Sequence, residues 1–524
     1  MKKFSNWFLA LGSSILLWAS WPVSPFTFLI FTAWVPLLWL ESKVKSRRKF
    51  FGYTYITMFT WNVATTWWVW NASEPGATAA FLANSLLMCF PWLGFKIAKK
   101  WLGEKTGYVA LIVFWISFEY IHLHDWGLSW PWLTLGNVFA THTEWIQWYK
   151  YTGTSGGSLW IMIINVLLFL HLKNNFNREA DKTYKNLLAA ILLMVIPVTI
   201  SIFSSVSKKV IGDRNVVIVQ PNIDPYEKIS AGSFDAQLQT LIQLSEKEID
   251  ANTALVIWPE TALYTENFID ETRMKEYHSL QPMWAFLQRH PDISLFSGVE
   301  SFRVFDSPLT STAKPVSGGR YIDSYNGSVL MDSSGVKAYY HKSMLVPGVE
   351  TLPWFLKFMD TWFEKFGGTT AGYAKQDERT VLKDEKHGYK IAPSICFESI
   401  YGEFMSKYIA GGANIICVIT NDGWWGNTPG YKQHMNYSRL RAVETGTWVA
   451  HCANTGISCF IDPRGNIINP QPWDMASSIK MNVPFNDTKT FYVKYGDLLS
   501  KGMLLVSIII IITCIVLWIK KKLK

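Results

Sequence analysis

Ile391-Ala392-Pro393-Ser394-Ile395-Cys396-Phe397-Glu398 is an apolar run that delivers a cysteine at its end. It reads as a buried strand, and the thiol marks where the strand stops. Two other stretches pair a strand end or a loop with a reactive side chain. In Val256-Ile257-Trp258-Pro259-Glu260 the proline ends the strand and leaves a carboxyl at its C-terminal lip. In Tyr340-His341-Lys342-Ser343-Met344-Leu345-Val346-Pro347 a lysine stands in a loop ahead of an apolar segment. Around them, short β-branched runs at 215–220, 254–258, 294–299, 327–332, 390–395, 414–420 and 456–461 alternate with helical or loop segments. Strands mixed with helices in that order predict a layered α/β or α+β domain.

Outward from this domain the composition changes. Of the 524 residues 49% are hydrophobic, and they concentrate in the first two hundred positions and the last twenty. A mean hydropathy of +0.11 agrees with membrane residence. Apolar runs near the roughly twenty residues that a bilayer core requires occur at 5–22, 25–42, 51–71, 77–98, 107–123, 155–172, 185–206 and 502–519, which predicts eight spans. The division between the first two rests on the short stretch holding Pro22 and Pro25. No cleavable signal peptide is expected, because the apolar stretch after Lys3 is followed by several more of spanning length.

The net charge of +9 does not point to nucleic acid, because the basic residues fall in blocks at 43–49, 99–105, 173–185 and 520–524, between or after apolar stretches. With a cytoplasmic N-terminus all four blocks lie inside. The loops then assigned outside, 20–24, 72–76 and 125–153, are poor in Lys and Arg. Trp126, Trp130 and Trp132 in the third suit an interfacial belt or a segment lying along the membrane. The expected organisation is a membrane domain over 1–206 with about seven helices, an extracytoplasmic domain over 207–500, and a last helix with a basic tail over 501–524.

Six cysteines form no CxxC pair and no Cys/His cluster at metal-ligand spacing, so no zinc site is predicted. Cys89, Cys417 and Cys514 lie in apolar runs as packing residues. Cys452 and Cys459 flank a hairpin turn at 454–456 and admit a cross-strand disulfide, although two buried free thiols are the favoured reading.

Cysteine is a nucleophile as its thiolate, so an acyl-accepting cysteine needs a base for its proton and a cation for the anion. Glu260 suits the first task and Lys342 the second. Attack of Cys396 on a carbonyl generates an oxyanion, for which the Lys342 ammonium and the N–H groups after the cysteine are natural donors. Singly, each residue has an ordinary structural reading: a small core cysteine, a strand-to-turn glutamate, a solvated lysine.

Glu in Trp-Pro-Glu, Lys in His-Lys-x-x-Leu-Val-Pro and Cys in Ile-Cys-Phe-Glu, in that order, resemble the nitrilase (carbon–nitrogen hydrolase) superfamily and its Glu-Lys-Cys triad. Eight spans framing such a domain, one of them after it, resemble the bacterial apolipoprotein N-acyltransferase family over essentially the whole chain. Further stretches agree with that pattern: Gln220-Pro221-Asn222, Leu345-Val346-Pro347 with Glu350, 421–426, Gln433-His434, Asn454-Thr455-Gly456 through Asp462-Pro463, and Trp130-Pro131-Trp132-Leu133 with Gly136. The resemblance implies a nitrilase-like α/β sandwich on a helical membrane domain, and two supporting carboxylates. Glu350 would hold Lys342 charged and oriented. Glu398 would shape the pocket or assist proton transfer. Phe397 departs from the tyrosine that many members carry after the cysteine. Asn421 and Asp422 would orient a head group and Trp424 and Trp425 would dip into lipid, or the segment is a structural turn. His434 is read as structural and left out of the triad.

The implied reaction is ping-pong. A phospholipid acylates Cys396, and the α-amine of the S-diacylglyceryl cysteine of an apolipoprotein then takes the chain, with no metal or organic cofactor. The implied location is the bacterial inner membrane, multi-pass, with the catalytic domain periplasmic and both termini cytoplasmic. Two rivals use the same parts differently. A membrane-tethered amidase would pass the acyl group to water but needs only one or two spans. A silent lipoprotein-binding scaffold would need no intact triad.

Overall fold

In a computed structural model the described residues are 2–177, 180–204, 210–226, 234–265, 268–351 and 372–523. The chain divides into two compact units, one made of Met1–Trp67, Gly76–Ser204 and Tyr495–Lys524, the other of Trp68–Pro75 and Ser205–Lys494. The expected boundary at 206/207 and the last residues of the seventh expected span lie outside the described residues.

The first unit is helical. Among the described residues four helices are long and apolar enough to cross a membrane: Glu74–Leu102, Thr154–Phe176, Tyr184–Phe203 and Leu498–Leu523. The last two leave rows of apolar side chains exposed, among them Leu188, Val195, Leu505 and Ile512, as a lipid-facing helix would. Helices Lys2–Ser20, Arg47–Thr66 and Glu104–His122 stand where three further spans are expected.

The second expected span, 25–42, is not one helix. It is a 3-10 turn, Thr27–Phe31, followed by the helix Val35–Lys43 with Pro36 in its first turn. Pro36 has no N–H to donate back to Thr32 and its ring crowds that carbonyl, so the helix starts afresh at Val35 instead of continuing through it. The backbone groups freed by the break find a partner in Asn165, which accepts from Trp34 N at 2.8 Å and donates to Ile30 O at 2.9 Å. In an apolar surround such groups need an internal partner. Trp132 also departs from expectation: it is fully buried, stacked on Trp130, and so is no interfacial anchor. Gly136 explains the close packing here, since a Cβ would meet Thr154 O at 2.0 Å.

The third expected span, 51–71, ends as helix at Thr66. Residues Trp68–Pro75 belong to the second unit. There the Trp68 ring packs 4.6 Å from Trp425, and the Asn71 amide donates to Trp425 O at 2.9 Å.

Among the described residues the second unit is built on two sheets. The first contains β1 (Gly212–Gln220), β2 (Thr253–Ile257), β3 (Ile269–Asp270), β4 (Ser294–Phe305), β5 (Lys314–Val316), β6 (Arg320–Asp332), β7 (Gly335–His341) and β14 (Ser477–Phe485). Its order is β14-β1-β2-β4-β6-β5, with β3 on β4 and β7 on β6. The strands β1, β2 and β4 run parallel, joined by crossovers that carry the helices Phe234–Glu248 and Gln281–Arg289. Trp258, Phe286, Leu241 and Leu295 pack into the core beneath those helices.

The second sheet orders β13 (Ile467–Ile468), β12 (Cys459–Ile461), β11 (Trp448–Ala453), β10 (Ile415–Thr420), β9 (Lys390–Ile395) and β8 (Leu382–Lys383). Pro393 is tolerated in β9 because β8 pairs only with Lys390 and Ile391. The Cys452 thiol of β11 reaches the carbonyls of Val219 and Ile257 in the first sheet, at 3.3 and 3.5 Å, so the sheets pack face to face. Cys452 and Cys459 are both free and buried. His451 pairs with Cys459, so Cys452 is one residue out of register and points to the opposite face. The hairpin is present and the disulfide is not.

Candidate active site

Each reactive side chain stands just past the end of a strand, Glu260 after β2, Lys342 after β7 and Cys396 after β9. Cys396 is the first residue after β9 and has φ +50°, a left-handed conformation that costs a non-glycine residue about 1 kcal/mol or more. The turn Cys396–Ile400 holds it there. The carbonyl of Cys396 accepts from Ser399 Oγ at 2.9 Å and from His434 Nε2 at 3.0 Å.

Glu398 is fully buried and ties this turn to the lysine loop. Its Oε2 accepts from Ile395 N at 2.8 Å. Its Oε1 accepts from Tyr340 Oη at 2.6 Å, Ser343 N at 2.7 Å and Met344 N at 3.1 Å. Four donors satisfy one carboxylate, and all come from the segments on either side of Cys396 and Lys342. Phe397 is buried and packs edge-on against Tyr401.

Glu260, Lys342 and Glu350 are brought together. The Lys342 Nζ lies 2.9 Å from Glu350 Oε1 and 3.3 Å from Glu260 Oε1, and its side chain is 1% exposed. Glu350 also accepts from Val346 N at 2.8 Å, which closes the loop that presents the lysine. The second oxygen of Glu260 accepts from Asn421 N at 3.2 Å. Gly298 on β4 makes the placement of Glu260 possible, because a Cβ there would lie 2.5 Å from Pro259 O and 2.6 Å from Glu260 Cα.

Asn326 was not anticipated. Its Nδ2 donates to Glu260 Oε1 and to Glu350 Oε1, each at 2.9 Å, and its carbonyl accepts from Lys342 N. The available signal was an asparagine inside a β-rich run, where that residue type is depleted.

The electrostatics follow from burial. Desolvation works against the Lys342 ammonium, but Glu350 and Glu260 outweigh it and hold the lysine above its usual range. Burial drives the Cys396 thiol well above its ordinary value, the Glu260 carboxylate adds to this, and Lys342 opposes it. At rest the sulfur therefore carries its proton. A carboxylate and an ammonium coupled to one half-buried thiol can take that proton and hold the resulting anion.

Asp422, His434 and His451 place one ligand atom each within 4.8 Å of one another. Asp422 Oδ1 is engaged by Thr420 Oγ1, whereas Asp422 Oδ2 and His451 Nε2 are buried without a hydrogen-bond partner among the described residues. Both His434 ring nitrogens have hydrogen-bond partners, and His451 Nδ1 lies 3.0 Å from Ser438 Oγ. The donor set is a hydrogen-bonded cluster behind the cysteine, on residues that sequence reading kept apart from the triad.

The sequence profile of the carbon-nitrogen hydrolase family matches residues 215–491, and that of the apolipoprotein N-acyltransferase N-terminal domain matches 13–167. The chain is 29% identical to an apolipoprotein N-acyltransferase of Chlorobaculum tepidum, over 94% of this chain and 93% of the relative. Against the protein of that name from Geobacter metallireducens the identity is 25%, over 94% and 92%. Among solved structures, Saccharomyces cerevisiae Nit3, a member of branch 10 of the nitrilase superfamily, matches at 18% identity and a TM-score of 0.38, covering 53% of this chain and 93% of that one.

Proposed function

Because the chain belongs to the carbon–nitrogen hydrolase family, we propose that Glu260, Lys342 and Cys396 carry an acyl chain from a phospholipid to the N-terminal α-amine of the S-diacylglyceryl cysteine of an apolipoprotein. The observation that carries this reading is the buried ammonium of Lys342, held between two carboxylates and coupled to a thiol in a strained backbone conformation. The similarity to apolipoprotein N-acyltransferases over nearly the whole chain supports this choice of acceptor.

In the first half-reaction Glu260 takes the thiol proton as Cys396 Sγ attacks the ester carbonyl. The oxyanion develops towards Lys342, whose charge is fixed in advance by Glu350 and Glu260. Collapse expels the lysophospholipid alkoxide, which takes the proton back from Glu260 and leaves a thioester on Cys396. In the second half the α-amine attacks the thioester and gives up a proton through Glu260. The amide forms, and Cys396 is regenerated as its thiol. No metal or organic cofactor enters either half.

Membrane placement gives the reaction physical sense, since both donor and acceptor are lipids by anchorage. We place the protein in the bacterial inner membrane with eight passes, the second broken at 32–34, and with the catalytic unit on the outer side and both termini inside. The Lys/Arg blocks at 43–49, 99–105, 173–185 and 520–524 support this orientation. The expected partition into 1–206, 207–500 and 501–524 goes with it.

The test is intact mass of the purified protein after incubation with phosphatidylethanolamine, followed by a diacylated lipopeptide with a free α-amine. A hydroxylamine-sensitive gain of one acyl chain, discharged onto the lipopeptide, supports the proposal. Discharge to water alone would make the protein an acyl hydrolase, as the tethered-hydrolase reading expects, and no adduct on a folded protein would leave the scaffold reading.

Two supporting residues give further expected results in this assay. Gly298→Ala should push the Glu260 main chain off β4 and slow acyl-enzyme formation about 100-fold, the scale of a 1 Å misplacement at a reacting group. Asn326→Ala should slow it about 10-fold, since it removes one donor shared by two buried carboxylates while Lys342 remains.

A further inference from the structure

We infer that His434, held as an imidazolium by Asp422, is the positioning residue that clamps the main chain of Cys396 in its left-handed conformation. The inference rests on the reading of Cys396 as nucleophile.

His434 stands on the helix Pro429–Thr445 and is fully buried. Its Nδ1 lies 2.9 Å from Asp422 Oδ1, and its Nε2 lies 3.0 Å from the carbonyl of Cys396 and 2.9 Å from Ser399 Oγ. Asp422 Oδ1 already accepts from Thr420 Oγ1 at 2.7 Å, and Ser399 Oγ donates its hydrogen to the same Cys396 carbonyl. Acceptors therefore face both ring nitrogens. A neutral imidazole has one N–H and one lone pair and satisfies only one of them, whereas an imidazolium satisfies both.

The surrounding groups agree. Burial by itself disfavours the charge, but Asp422, the Cys396 carbonyl and Glu260 outweigh it, so His434 is raised above its ordinary range. His451, 5.5 Å away ring to ring, is pushed well below its ordinary value by burial and adds no competing charge. Trp425 closes the remaining side, edge to face at 5.6 Å.

The consequence is mechanical. Cys396 at φ +50° relaxes unless something holds its carbonyl. A charge-assisted donor on that carbonyl is a strong single restraint. It orients the sulfur towards Glu260 and Lys342 without touching the substrate.

The sign with pH is definite. A group raised in the folded state exerts its effect below its folded pKa and loses it as pH rises through that value. Deprotonated His434 must give up either Asp422 or Cys396. Acylation should therefore fall on the alkaline side, and Asp422→Asn should move that fall to lower pH.

The test uses the full chain in phosphatidylethanolamine nanodiscs and two readouts, acyl-enzyme formation and iodoacetamide alkylation of Cys396 located by peptide mass. His434→Phe, with no donor, should slow both about 100-fold, and His434→Gln, which still offers an N–H, should stay within about 10-fold of wild type. Equal losses in Gln and Phe, an unshifted pH limb in Asp422→Asn, or a folded Phe variant at wild-type rate would each overturn the clamp. If the Phe variant does not fold, the pH limb of Asp422→Asn and the rate of His434→Gln still decide. Wild type that alkylates at Cys396 but never acylates would sink the acyltransferase reading and leave the clamp to be judged by alkylation.

Discussion

Cys396→Ser is expected to leave a folded protein that forms no acyl adduct, with the rate of acylation reduced at least about 10⁴-fold. The substitution is nearly isosteric, so the strained turn and the hydrogen bonds from Ser399 and His434 to the residue 396 carbonyl should survive. What changes is the acid. An alcohol holds its proton far more tightly than a thiol, and a carboxylate such as Glu260 is too weak a base to remove it. Intact mass with phospholipid present, set beside a thermal melt, reads both halves of the expectation. An unchanged melt with no adduct isolates the chemistry. An acylated serine variant would mean that another residue carries the chain.

Lys342→Met should produce the second largest effect, and it should be visible in stability as well as in rate. The ammonium is buried against Glu260 and Glu350, and removing it leaves two carboxylates beside each other with Asn326 and the main-chain donors as their company. Breaking a buried pair from one side typically costs about 3–5 kcal/mol, because the remaining charge is uncompensated. Loss of the oxyanion's cation should slow acylation by about 10²–10³-fold in addition. Glu350→Gln separates the two effects. It keeps the Lys342–Glu260 contact and the shape of the loop, so stability should fall less than in Lys342→Met while acylation still slows. Chemical denaturation and acylation rate, measured on all three proteins, check the ordering. A Lys342→Met protein as stable as wild type would remove the buried-pair account.

Much of this was open to reading before any tertiary structure. The positions of Glu260, Lys342 and Cys396 at strand ends follow from local signals: a Trp-Pro that stops a strand, an apolar run that ends on a thiol, a loop lysine before Leu-Val-Pro. Period and length are short-range properties, so strands β1, β2, β4, β6, β9, β10 and β12 and most of the apolar helices were legible as well. Glu350 beside Lys342 was anticipated through a resemblance, and the ion pair is present at 2.9 Å.

Other features had no local signature. Asn326 bridges two carboxylates that are 66 and 24 residues away in sequence, and nothing in Tyr-Asn-Gly-Ser announces it. Glu398 was expected to shape the pocket or assist proton transfer, and the structure shows it fastening the cysteine turn to the lysine loop. The break at 32–34 is compensated by Asn165, 131 residues from Trp34. Residues 68–71 fall at the end of an expected span and 72–75 in an expected outer loop, and both belong to the second unit.

The sequence by itself determined which side chains can do chemistry and on which strands they end, because strand formation and its termination are set by neighbours along the chain. Only the tertiary structure decided which charges meet, which carboxylates bind Lys342 and which ties loops, and that a histidine set aside as structural reaches the carbonyl of Cys396. Those outcomes depend on hydrogen bonds and Coulomb contacts between residues far apart in sequence, in a buried site where each polar group must find a partner once water is gone.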